Sequence, residues 1–185
     1  MVMATLTADD WVTAAYDRFN TGGLAAVKVE PVARSLGATK GSFYWHFANR
    51  GALVDAVMAR WEQVETDQII AIADAGESPT ERLEQLFAVV AARRSQPSGE
   101  TTLYVDAAAE GVQPIVARVT ERRIAYIAEI LVELGFSRDE AVRRGTVATA
   151  VVLGMQQLAA GAGDEYLDAI AVGLTQTALA MTLAR

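Results

Sequence analysis

The chain predicts an all-α fold: an N-terminal three-helix bundle with a helix-turn-helix, followed by a larger helical domain. Three observations carry this. Apolar residues recur at helical spacing and almost never alternate as a half-buried strand would. Helix-start signals are frequent: Thr7 before Asp9 and Asp10, Ser78-Pro79 before Glu81, and Ser137 before Glu140. Finally, the C-terminal part holds two long uncharged runs, 145–163 and 169–184, which read as helices apolar nearly all round.

Composition narrows the chemistry. The chain has 185 residues, 52% hydrophobic and 21% charged, enough for a real core in one domain or in a small domain fused to a larger one. It contains no cysteine and one histidine, His46. Disulfides, thiolate metal sites, cysteine nucleophiles and histidine-rich metal sites are thereby excluded, and no metal or cofactor is expected. The start, MVMATLTADDW, lacks the basic and apolar regions of a secretory signal, so the expected location is the cytoplasm. The net charge of −7 is unevenly spread. Residues 1–60 carry six basic side chains against five acidic ones, whereas residues 61–185 carry ten against eighteen. Two parts facing different partners would show such an asymmetry.

The elements follow in order. Thr7 caps a first helix with Asp9 and Asp10 in its first turn, and Gly22-Gly23 ends it. Trp11, Val12, Ala15, Tyr16 and Phe19 form its apolar face. Val29–Leu36 is a short second helix, tolerating Pro31 in its first turn and stopped by Gly37. Thr39 caps a third, from Lys40 to His46. A longer helix is expected over residues 50–75, with Leu53, Val57, Trp61, Val64 and Ile72 as its apolar set. Ser78 opens the next helix, which reaches Arg93-Arg94, and residues 95–99 form a turn. Residues 100–110 are expected to be helical, then Pro114 opens a helix that ends at Gly135. Ser137 and Glu140 begin the first uncharged helix.

Thr146, Thr149, Gln156 and Gln157 interrupt the first uncharged run. The second is short and contains Thr175, Gln176, Thr177 and Thr182, so membrane spans are disfavoured. Burial on two sides, against its own core and a partner subunit, explains such helices better. Gly145, Ala148, Ala150, Gly154, Gly173 and Ala178 permit close helix approach. A homodimer through helices at about 139–160 and 164–184 is therefore expected.

The second and third helices, joined at Gly37-Ala38, form a helix-turn-helix whose second member would enter a major groove. Residues 39–47, TKGSFYWHF, mix rings with polar groups. At about 100° per residue, Phe43 and Phe47 share a side that can fill a core. Gly41 and Trp45 lie opposite, flanked by Ser42 and Tyr44, with Lys40 in the exposed first turn. Hydroxyls, imidazole and ammonium suit phosphates; Lys and Ser suit base edges. Glycine lets the helix backbone come close.

GATKGSFYWHFANRGALVDAV (37–57) resembles the DNA-binding region of the tetracycline-repressor (TetR) family of bacterial regulators. The matching order is Val32-Ala33, then Gly37, a small residue, Thr39, Lys40, Gly41, Ser42, an apolar residue, Tyr44 and Phe47, with Ala52-Leu53 beyond. The resemblance is tight over residues 29–58 and loose over 7–60. It implies Lys40, Ser42 and Trp45 near bases, Thr39, Tyr44, His46 and Arg50 on phosphates, and Gly41 against the DNA backbone. Two positions depart from the family pattern. Lys28 replaces the usual Ser/Thr cap of the second helix, and Glu30 stands where a basic or polar DNA contact is common.

The resemblance further implies a ligand-responsive transcriptional regulator, commonly a repressor. It would bind a palindromic double-stranded operator as a homodimer and release it on binding a small, largely apolar effector. Expected domains are 1–49 for DNA and 50–185 for effector binding and dimerisation. Trp61, Phe87, Tyr104, Tyr126, Met155 and Gln156 are candidates for the effector pocket, each of which could equally be ordinary core. The alternative is a helical protein-interaction adaptor without DNA binding, which would not need the ordering within 39–47. An enzyme is not expected, because no nucleophile elbow, phosphate loop or metal-ligand spacing occurs. The carboxylate pairs at 9–10, 139–140 and 164–165 sit at helix starts, where the helix dipole accounts for them.

Overall fold

A computed structural model describes residues 6–93, 98–162 and 164–184. Their regular secondary structure is all helical, without strands. The expected cation Arg94, residues 95–97 of the expected turn, and Gly163 lie outside the described residues. The helices are α1 (Ala8–Gly22), α2 (Val29–Ser35), α3 (Lys40–Phe43), α4 (Arg50–Glu62), α5 (Gln68–Ala73), α6 (Pro79–Arg93), α7 (Glu100–Asp106), α8 (Gln113–Glu133), α9 (Arg138–Ala162) and α10 (Asp164–Leu183). By compactness the chain divides into two units, residues 1–63 with 97–116, and 64–96 with 117–185.

In the first unit the local signals act as expected. Thr7 and Asp10 close a reciprocal capping box, in which Thr7 N donates to Asp10 Oδ2 at 2.7 Å and Asp10 N to Thr7 Oγ1 at 3.3 Å. The Thr7 N–H first, and the Thr7 hydroxyl donating to the same Oδ2 second, hold the Asp10 carboxyl below its ordinary range. α1 packs against α2 and α4, and α2 packs against α3. Trp11, Phe19, Phe43, Leu53, Val57 and Trp61 are wholly buried. Arg60 pairs with Asp9 across α4 and α1.

Residues 98–116 belong to this unit too, which no local pattern had indicated. The cause is close packing at Phe19. A Cβ on Gly99 would come within 2.6 Å of the Phe19 ring, so only glycine permits this approach. Leu103, Ala107, Val112 and Val116 are buried in the same unit.

The expected continuous helix over 50–75 is interrupted. Between α4 and α5, residues 63–67 form a single π turn, which leaves carbonyls without their usual i+4 donors. Two arginines meet that need: Arg93 Nη1 donates to Val64 O at 2.7 Å, and Arg123 Nη2 to Glu65 O at 3.0 Å. Arg123 Nε also donates to the buried Thr66 hydroxyl at 2.9 Å.

In the second unit, α5 packs on α6, and α10 packs on both α6 and α9. Its core joins Ile69, Leu83, Phe87, Ile127, Ile130, Leu131, Ala148 and Ala178. Buried Thr149 and Thr182 satisfy their hydroxyls on their own helices, donating to Gly145 O and Ala178 O. That is how threonines are tolerated inside apolar helices. Arg144 lies 4.6 Å from the Phe136 ring centroid and donates to Met181 O and Thr182 O near the end of α10. A cation there complements the helix dipole.

The small residues divide into two sets. Gly145, Ala148 and Ala178 are buried, Gly145 so closely that a Cβ would lie 2.9 Å from Ile124 O. Ala150, Gly154 and Gly173 are exposed. No helix among the described residues is long and apolar enough to cross a membrane.

Candidate nucleic-acid interface

The candidate site is built from α2, a tight turn and α3. α2 ends at a glycine in the left-handed region, Gly37 at φ 63°. Gly37 N bonds to Arg34 O at 3.1 Å and Ala38 N to Ala33 O at 2.8 Å. This reversed pair of bonds satisfies carbonyls at the helix end and turns the chain sharply. α2 starts at Lys28 without a side-chain cap, as its departure from Ser/Thr implies.

Thr39 then caps α3, its Oγ1 accepting from Ser42 N at 3.2 Å while Ser42 Oγ donates to Thr39 O at 2.8 Å. The Thr39 hydroxyl retains its own proton for an outside acceptor, and Ser42 Oγ retains lone pairs. α3 is shorter than expected. It is regular only over 40–43, after which turn bonds, such as His46 N to Phe43 O at 2.9 Å, carry the chain to Phe47.

The division of the segment into two faces is clear. Phe43 is buried, edge-on to Trp11 at 5.4 Å and stacked with Phe47 at 5.5 Å. On the other face Trp45 is 88% exposed and Tyr44 55%. Gly41 is exposed, and a Cβ there would meet only Thr39 Oγ1, at 3.7 Å. The protein's own packing does not require glycine at that place. The half-buried His46 ring lies 6.3 Å from Trp11, between the two faces. Lys40 extends from the first turn of α3 to Glu30 on α2, with Nζ 2.9 Å from Oε1 and both side chains exposed.

Arg50 is differently placed. Its Nε donates to Val27 O at 2.7 Å, and its Nη2 to Leu24 O at 2.7 Å and to Glu110 at 2.9 Å. The guanidinium thus ties the chain before α2 to α4 and to the segment after α7. Sequence reasoning did not single out Glu110, because its partner lies sixty residues away.

The effector candidates fall in both compact units. Trp61, buried, and Tyr104, half-buried, lie in the first. Phe87, Tyr126, Met155 and Gln156 lie in the second. Phe87 is part of its core cluster, and Tyr126 packs against that cluster. Tyr126 Oη donates to Asp74 at 2.7 Å; burial first, and this bond second, push the phenol well above its ordinary range.

Residues 12–57 match the family described as bacterial regulatory proteins, tetR family. Several solved structures similar to this chain are described as TetR regulators. A regulator from Legionella pneumophila is 19% identical with a TM-score of 0.75, the alignment covering 96% of this chain and 99% of the other. For one from Agrobacterium tumefaciens the identity is 19%, the TM-score 0.79, and the coverage 94% and 96%. One from Streptomyces coelicolor is 15% identical with a TM-score of 0.78, covering 94% of each chain. At these identities the structural likeness establishes the fold, and the family match falls on the helix-turn-helix itself. Over residues 12–57 the chain is thus similar to the tetR family of bacterial regulatory proteins, and as a whole it shares the fold of these solved regulators.

Proposed function

We propose that the protein is a repressor that holds a palindromic operator as a homodimer and releases it when a small, largely apolar molecule binds. The observation that carries the DNA contact is the outward face of α3 and its following turn. Trp45 is 88% exposed and the adjacent Tyr44 55%, neighbouring rings of the kind that a binding surface presents. Beside them lie the donors and apolar groups that suit a major groove. In this reading Lys40, Ser42 and Trp45 meet bases. Thr39, Tyr44 and His46 meet phosphates, and Gly41 admits the DNA backbone. Arg50 contributes chiefly by holding the interface in shape, consistent with its bonds to Leu24, Val27 and Glu110. The DNA-contacting function is assigned to 1–49 and the effector and dimer functions to 50–185, in the cytoplasm, where the operator lies.

The dimer reading draws support from two stripes. α9 exposes Val147, Ala150, Gly154 and Leu158, and α10 exposes Gly173, Thr177, Ala180 and Met181. Both follow helical spacing and are small or apolar, as a close helix-on-helix contact between copies requires. Two recognition segments about 34–36 Å apart would then address successive major grooves. An effector coupling of about 1–3 kcal/mol is enough to change operator affinity several-fold to about a hundredfold. Phe87, Tyr126, Met155 and Gln156 are the effector candidates within one compact unit.

Selection of bound duplexes from a random pool by the full chain tests this reading, followed by small-molecule screening for release. A symmetric consensus bound in a salt-sensitive manner is expected. Recovery of no preferred sequence would remove the regulator reading and favour the adaptor.

A further inference from the structure

We propose that Glu30 and Lys40 act as one donor–acceptor unit that reads a single G·C base pair. This rests on α3 entering the major groove. Lys40 Nζ and Glu30 Oε1 are 2.9 Å apart, on different helices and ten residues apart in sequence. The Lys40 bond and charge hold the Glu30 carboxyl below its ordinary range, and Arg34, also on α2, adds a smaller attraction. On the free protein an exposed pair of this kind contributes little to stability, so its position on the outward face invites a different explanation.

A carboxylate beside a base-reading lysine changes what that lysine tolerates. Phosphates, guanine O6 and N7, thymine O4 and adenine N7 are all acceptors, and each repels Glu30. The only donors on the major-groove edge are cytosine N4–H and adenine N6–H. The pair therefore fits DNA where a donor faces Glu30 and an acceptor faces Lys40.

The flanking groups decide between the two base pairs that offer this. In G·C, O6 and N4 are joined by an N–H···O bond of about 2.9 Å, the same spacing as the ammonium and carboxylate. Stacked against that edge, four polar atoms alternate between donor and acceptor. Beyond O6 lies guanine N7, a second acceptor for Lys40; beyond N4 lies the cytosine C5–H edge, which carries no acceptor. In T·A the ammonium would face O4 with a methyl beside it. The carboxylate would face N6–H with the N7 acceptor beside that. Both flanks are then worse, and reversing G·C to C·G opposes like with like. One base pair in one orientation satisfies both groups.

The test is pool selection with the full-length wild type, Glu30→Gln and Lys40→Ala, followed by affinities for the consensus and its single-pair variants. Glu30 is exposed and Gln keeps its shape, so folding is not at issue. The wild type should require G·C at one position of each half-site, and both substitutions should flatten that same position by about tenfold or more in relative affinity. Placing N4-methylcytosine there should weaken the wild type by about the same factor and Glu30→Gln much less. If Glu30→Gln raises affinity for every sequence equally and leaves the ranking intact, Glu30 is only repulsive and the inference fails, while DNA binding stands. Absence of any preferred sequence for the wild type would instead remove the DNA-binding reading beneath it.

Discussion

Arg50 and Tyr44 are both suited to a phosphate by type, and their surroundings separate them. Arg50 is bonded to two carbonyls and a carboxylate within its own unit. Arg50→Ala should therefore lower the stability of the chain by about 1–3 kcal/mol, seen as a lower midpoint in urea. A loss of operator affinity with an unchanged midpoint would show that Arg50 acts at the DNA. Tyr44 is exposed, and its hydroxyl can be removed without cost to the fold. Tyr44→Phe should weaken all duplexes by a similar factor, whereas Lys40→Ala should alter the ranking among them; titrations against operator variants distinguish the two. Residue types alone could not have shown where Arg50 goes, because a guanidinium serves a carbonyl and a phosphate equally well. The two-sided character of 39–47 was legible, because Phe43 and Trp45 differ in helical phase, and phase is fixed locally.

Helix starts and stops were the most legible elements, for the same reason of locality. Thr7 with Asp10, Ser78 with Glu81 N, and Ser137 with Glu140 N each make the expected cap bond. Gly37 adopts the positive φ that a helix stop uses. Gly37→Ala should cost about 1–2 kcal/mol through backbone strain alone, since no atom would contact the new methyl. Gly99→Ala should cost more, because its methyl would collide with Phe19. Comparing the two thermal midpoints checks the order. The π turn at 63–67 was not legible. Its freed carbonyls are met by Arg93 and Arg123 from distant segments, and nothing in QVETD itself announces them. Thr66→Val removes the acceptor that holds Arg123 Nε and should destabilise the chain by about 1–3 kcal/mol, again in urea. An unchanged midpoint would mean that the turn persists without that clamp.

For the molecule as a whole, the stripe on α9 makes oligomeric state the most accessible property to test. Val147 is 53% exposed, so Val147→Glu should leave helicity intact while converting the proposed homodimer to monomers and abolishing tight operator binding. Sedimentation together with circular dichroism reads both; a persistent dimer would put the interface elsewhere. The layout of the helices among the described residues was largely legible from periodicity, but the grouping of segments into units was not. Residues 98–116 join residues 1–63 because of Phe19 packing on Gly99 and the Arg50–Glu110 pair, contacts that have no local trace. This grouping has a practical consequence for building hybrid regulators. A cut after the reading head transfers a fragment stripped of its own buttress. To exchange DNA specificity between relatives, the graft must be discontinuous, taking 98–116 along with 1–63. Alternatively, Phe19, Arg50 and their counterparts in the recipient must be matched first.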